Sequence, residues 1–201
     1  MSVYHHDGFS AGGLVNLLRR NKKLVRLDVK DQDTLPAVCR AIVEGCCRGV
    51  ERLGLFEEHT GVFEEHTELT QERLDLLAGA LQVDGALAAL RTLEIDPAFQ
   101  SRALSQSQLT TVLGSGAAPS LQLFYFDETG LDEGDWSSIA DMVEARTRIP
   151  GCKGLKLIYV KFSNWLDGVP LATQIRLFRA SLPTVKELPH FYWSRRVRVL
   201  L

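Results

Sequence analysis

The spacing apolar-x-x-apolar-x-apolar recurs along this chain. It reads Leu24, Leu27, Val29 in LVRLDV, then Val50, Leu53, Leu55 in VERLGL, then Leu90, Leu93, Ile95 in LRTLEI. It returns as Leu121, Phe124, Phe126 in LQLFYF and as Leu155, Ile158, Val160 in LKLIYV. A weaker sixth copy starts at Val185 in VKELPH, where Pro189 interrupts the strand. The last three positions of each copy alternate with period two, so each predicts a short strand with one apolar face. After each strand the period changes to that of a helix. Leu35, Val38, Cys39, Ile42, Val43 and Cys46 fall at i, i+3, i+4, i+7, i+8 and i+11. Asp33 or Thr34 can cap that helix, and Pro36 suits its first turn. Helical spacing follows at Leu74, Leu77, Ala78, Leu81, at Leu109, Val112, Leu113, at Trp136, Ile139, Ala140, Val143, and at Leu171, Ile175, Phe178, Leu182. A strand and a helix in about 30 residues make one βα unit, which buries neither face until a neighbour stacks on it.

The block LQLFYFDETGLDEGDWSSIADMVEARTRIPGCKGLKLIYV resembles a leucine-rich repeat of the ribonuclease-inhibitor type. Leu121, Phe124, Phe126, Thr129 and Leu131 stand in the slots of LxxLxLxxNxL, and Asp132, Glu133 and Gly134 lead to a helix from about Trp136. The resemblance runs from about Leu14 to Leu182. Gln32, Glu58, Ala98, Thr129 and Ser163 occupy the usual Asn or Cys slot. Thr and Ser can bond the turn backbone but Ala98 cannot, so irregular turns are expected. The resemblance implies an α/β fold, a curved solenoid of five to six repeats with a parallel sheet on its concave face and helices on its convex face. A plain α/β sandwich is the competing fold. The expected organisation is a single domain over 1–201. Its parts are an N-terminal helix or cap at 1–23, repeats over 24–184 with a loop insertion at about 56–69, and a C-terminal cap or edge strand at 185–201. Leu14, Leu17 and Leu18 read as the helix of a repeat whose strand is missing or degenerate. Val197, Val199 and Leu201 alternate as a closing edge strand would.

Composition adds mainly exclusions. The 201 residues are 45% apolar, and 23 Lys and Arg nearly balance 25 Asp and Glu, for a net charge of −2. No global field points to nucleic acid or to an acidic membrane surface. Basic runs at Arg19, Arg20, Lys22, Lys23 and at Arg195, Arg196, Arg198 read as solvated faces. Cys39, Cys46, Cys47 and Cys152 form neither a CxxC pair nor a zinc spacing, which favours reduced, buried thiols. No apolar run approaches the roughly 20 residues of a membrane span, and the first residues lack a signal-peptide core. The expected location is intracellular, in the cytoplasm or within an organellar complex.

Alternate strand residues face the concave side of such a sheet. They are Arg26, Asp28 and Lys30; Arg52, Gly54 and Phe56; Thr92, Glu94 and Asp96; Leu123, Tyr125 and Asp127; Leu157, Tyr159 and Lys161. Basic residues mark one end, Glu94, Asp96 and Asp127 an acidic middle, and Tyr125 and Tyr159 an aromatic pair. Arg26, Asp28, Arg52, Phe56, Glu94, Asp96, Tyr125, Asp127, Tyr159 and Lys161 are therefore the candidate contacts to a protein partner. The plainer reading is a mixed polar sheet face. No GxSxG, P-loop or HExxH motif is present, so no enzymatic activity and no cofactor are expected. Some proteins of this repeat type stimulate a small GTPase, but no residue here carries such a motif. GSG at 114–116 reads as a helix cap and turn. The doubled FEEHTGVFEEHT at 56–67 sets His59 and His66 seven residues apart beside Glu58 and Glu65, a weak metal candidate. It falls in the longest interval, from Val50 to Leu90, and reads better as a loop insertion that widens a partner surface. The expected function is a non-catalytic protein-interaction scaffold. An accessory subunit of a large assembly is the alternative.

Overall fold

The computed structural model describes residues 2–4, 11–29, 34–56, 69–95, 102–127, 132–160 and 197–200. Strands β1 (Ser2–Tyr4), β2 (Arg26–Val29), β3 (Arg52–Leu55), β4 (Thr92–Ile95), β5 (Leu123–Asp127), β6 (Lys156–Val160) and β7 (Val197–Leu200) form one sheet in sequence order. The first six are parallel, and β7 closes the edge antiparallel to β6. Helices α1 (Ala11–Arg20), α2 (Leu35–Val43), α3 (Gln71–Gln82), α4 (Ala103–Gln106), α5 (Leu109–Gly114) and α6 (Glu133–Thr147) link the parallel strands. Each helix packs beside the next, so the helices form one row against the sheet.

The local chemistry repeats from strand to strand. Leu24, Val50, Leu90 and Leu121 each donate a backbone N–H to the carbonyl three residues back, at 2.9–3.0 Å. The carbonyl of Val25 accepts from the N–H groups of Glu51 and Arg52, that of Glu51 from Arg91 and Thr92, and that of Arg91 from Gln122 and Leu123. The same turn and the same shared bond thus recur at successive strand entries. Leu24, Leu27 and Val29 are buried, as are Val50, Leu53, Leu55, then Leu90, Leu93, Ile95, then Leu121 and Phe124. They meet helix residues such as Val38, Ile42, Leu74, Leu77, Leu113 and Ile139 in one continuous core. Truncating one such leucine to alanine costs about 2–5 kcal/mol, because the close-packed surroundings collapse only partly.

The helix boundaries follow their caps. Thr70 Oγ1 accepts from Arg73 N at the start of α3. Asp132 and Asp135 form a reciprocal capping box on α6, which begins three residues before Trp136. Thr34 holds the N-cap position of α2 without a side-chain cap bond, and Pro36 sits in the first turn. Gly45 and Gly116 adopt φ of 74° and 99° one residue beyond the caps of α2 and α5. There a left-handed residue lets the chain turn back to the sheet, as expected for GSG.

Four features differ from the sequence reading. A strand, β1, does precede α1, pairing Val3 with Leu27. Val43 is 49% exposed, because eight steps of about 100° carry it about 80° from Leu35, to the rim of the buried face. The segment before β5 holds two short helices, broken at Ser107, whose hydroxyl donates to the Leu104 carbonyl and accepts from Leu109 N. In β6 the register pairs Phe124 with Leu157 and Phe126 with Tyr159. That is one residue out of step with the expected Leu155, Ile158, Val160 spacing. Leu157 and Ile158 are both apolar, so alternation specifies this strand's face weakly, and a one-residue slip exchanges its two faces. The predicted helix at 171–182, the copy at Val185 and the loop at 57–67 lie outside the described residues.

Candidate functional site

The sheet has one face under the helices and one facing away from them. On the outer face the register stacks two rows. One runs Arg26, Arg52, Thr92, Leu123, and the other Asp28, Gly54, Glu94, Tyr125. Parallel strands lie about 4.8 Å apart, so neighbours in a row touch or repel. Arg26 stands opposite Arg52, a like-charge pair that costs energy unless each cation finds an acid. Both do. Arg26 Nε donates to Asp28 Oδ2 on its own strand at 2.6 Å, and Arg52 Nη2 donates across the sheet to Glu94 Oε2. Side-chain exposures of 38% for Arg52 and 13% for Glu94 leave that pair at the surface.

Gly54 controls the middle of this face. A methyl built there would overlap Phe56 Cε2 and come within 2.8 Å of Asp28 Oδ1. The Phe56 ring therefore lies back across the sheet, over the one position without a side chain. Asp28 is 1% exposed, and its Oδ1 has no hydrogen-bond partner among the described residues. Arg52 Nε is likewise buried and unpaired there. The outer face thus carries a buried acid beneath an aromatic ring and a half-open Arg52–Glu94 pair, flanked by the half-buried Thr92, Leu123 and Tyr125.

The expected contact residues divide accordingly. Arg26, Arg52, Phe56, Glu94 and Tyr125 come together on the outer face, partly accessible. Asp28 shares that face but is buried, which corrects its reading as a contact residue. The alternation that turns it outward carries no information about the ring that folds over it. Tyr159 is not Tyr125's neighbour in register: Tyr125 pairs with Ile158, and Tyr159 with Phe126. Asp127 ends β5 opposite Val160. Asp96, Lys161, His59 and His66 lie outside the described residues.

Two buried charges escaped the sequence reading. Asp135 is 0% exposed and accepts from Ser105 N at 2.7 Å, Arg102 N at 3.1 Å and Asp132 N at 3.2 Å, so α6 caps α4. Arg102, at φ 65°, is held in a left-handed conformation by that arrangement. Arg146 is 1% exposed, and burial lowers its pKa from the ordinary arginine value. Its Nη1 donates to the carbonyls of Leu113 and Ala117, and its Nη2 to those of Ala118 and Leu121. A signal existed: Arg146 lies seven residues after Ile139 and three after Val143, in the middle of an apolar helix face. Both residues brace the fold rather than meet a ligand.

Burial pushes the Cys39 and Cys47 thiols up to about 12, so neither acts as a nucleophile near neutrality. Among the described residues no group of three or more His, Cys, Asp or Glu is placed to hold a metal ion, and no helix is long and apolar enough to cross a membrane. Compared with models of known protein families and with curated proteins, the chain matches none.

Proposed function

We propose that the chain is a leucine-rich-repeat solenoid of the ribonuclease-inhibitor type, a non-catalytic scaffold that binds a protein partner through the outer face of its sheet. Three features support the repeat reading: strands in sequence order, one strand-entry turn used four times, and carbonyls shared in the same way between neighbours. The observation that carries the binding reading is the set Arg52, Glu94 and Tyr125 on adjacent strands, partly accessible and outside the helix-covered core. Arginine and tyrosine are the residues that most often anchor interfaces, and strands hold them more rigidly than loops would. Glu94 keeps Arg52 extended across the sheet, so little side-chain entropy remains to be lost on binding.

Site-specific photo-crosslinking tests this reading. A photoreactive phenylalanine analogue at position 125 should capture the partner from the native source. The same probe in place of Leu76, an exposed residue on α3, should not. Capture at position 76 alone, within a stoichiometric multi-subunit particle, would assign the helix row as the interface and favour an accessory-subunit role.

A further inference from the structure

Because β1 to β6 run the same way, every turn that leads into a parallel strand lies along one edge of the sheet. On that edge the turns before β2 and β3 are basic. Arg19 and Arg20 end α1, Lys22 and Lys23 follow it, and Arg48 lies between α2 and β3. The two turns abut: a methyl at Gly49 would lie 3.5 Å from the carbonyl oxygens of Lys22 and Leu24. Between them is a basin of about 490 Å³, walled by Arg19, Lys22, Glu44 and Arg48 with Gly45 and Gly49.

The basin already holds one carboxylate. Arg19 Nε and Nη2 both donate to Glu44 Oε2, at 3.0 and 2.8 Å. Arg48 is poised over Gly45, where a methyl would lie 3.1 Å from its Nε. Lys22 and Arg48 are exposed and have no acidic partner among the described residues. Three cations therefore converge on a concave surface that, among the described residues, contains a single acid, in a chain whose net charge is −2. We propose that this basin docks a carboxylate-rich segment of a partner protein, at a surface separate from the outer face of the sheet. The seated Glu44 carboxylate shows the chemistry the walls accept, and Lys22 and Arg48 offer the same to an incoming Asp or Glu. A nucleic acid fits less well. Among the described residues no aromatic ring lines the basin for bases to stack on, and the overall balance of charge provides no extended basic track.

The test is fluorescence anisotropy with a labelled dodecapeptide of alternating glutamate and glycine at about 50 mM salt, where a charged contact is little screened. The unmodified chain should bind it, and Lys22→Glu with Arg48→Glu should weaken binding by about tenfold or more. Raising the salt should weaken binding too, whereas Leu76→Ala on α3 should leave it unchanged. If the double reversal impairs folding by circular dichroism, Lys22→Gln with Arg48→Gln gives the same readout. No binding by the unmodified chain, or equal binding by the double variant, would overturn the proposal. Tighter binding of single-stranded DNA of matched charge would overturn it in favour of a phosphate site. Self-association that the double variant abolishes would assign the basin to a second copy of the chain and overturn it equally.

Discussion

Replacing Arg146 with methionine keeps most of the side-chain volume of a fully buried residue and deletes its guanidinium. In the intact chain that guanidinium joins the end of α5, the turn at 117–118 and the entry to β5, through the carbonyls of Leu113, Ala117, Ala118 and Leu121. Three of the bonds are 2.8–3.1 Å and the fourth is 3.4 Å. A hydrogen bond from a charged donor contributes about 1.5–3 kcal/mol, and a buried acceptor left alone costs about 1–3 kcal/mol. Against this, methionine removes the penalty of burying a cation, which is itself several kcal/mol. The carbonyls remain whatever residue replaces the arginine, and Ala118 sits at φ 48°, a conformation that an alanine adopts at a cost of about 1–2 kcal/mol. The carbonyls of Leu113 and Ala118 keep the backbone donors Gly116 N and Leu121 N, but those of Ala117 and Leu121 lose theirs. This loss should outweigh both the removed cation penalty and any relaxation at Ala118, so Arg146→Met should lose about 3 kcal/mol. Lysine retains the charge but not the planar fork, so Arg146→Lys should lose about 2 kcal/mol. Urea unfolding followed by tryptophan fluorescence is the assay, since Trp136 is buried on the same helix. With a slope of about 2–3 kcal/mol per molar urea, the midpoint of the methionine variant should fall by about 1–1.5 M. A methionine variant as stable as the original, with unchanged slope, would refute the argument and show that desolvation of the cation outweighs its four bonds.

Other outcomes follow from the same structure. Gly54→Ala should displace the Phe56 ring rather than the sheet, at a cost of about 1 kcal/mol that disappears in a Phe56→Ala background; an unchanged cost in that background would place the strain in the backbone. The Asp132 pKa is lowered, first by the bond from Asp135 N and then by Arg102, so its stabilising contribution is complete above the unfolded carboxyl value of about 3.9. That contribution should be lost as pH falls through the lower folded value, and Asp132→Asn, which keeps the cap, should flatten this part of the pH–stability curve. Cys46 and Cys152, both half-buried, should react with a disulfide reagent in the native chain well before Cys39 and Cys47, whose reaction should require unfolding.

The strands β2 to β5 were legible because each places apolar residues at a fixed spacing, with one face paid for by burial: Leu53 and Leu55 inward, Arg52 and Gly54 outward. Strand β1 was not, because SVY is three residues long and offers a single aliphatic position. The face of β6 was ambiguous for the opposite reason, an excess of apolar residues on both rows. On the outer face, alternation correctly placed Arg52, Glu94 and Tyr125 together, because side-chain direction in a strand follows position alone. It could not reveal that Asp28 is buried. That depends on the ring of Phe56, two residues beyond Gly54 on the neighbouring strand, lying back over the glycine that pairs with Asp28. Asp135 and Arg146 were hidden for a related reason: their partners are backbone groups about 30 residues distant, and backbone groups carry no sequence signature.

The central claim is that a protein partner reads the outer face of the sheet. Its most direct test is the affinity of the captured partner for Tyr125→Ala and Arg52→Ala, measured by calorimetry beside Leu76→Ala on α3. The account predicts a loss of about 2 kcal/mol or more, about 30-fold, at each sheet position, with little change at Leu76. Unchanged affinity at positions 52 and 125 together with a large loss at position 76 would contradict it.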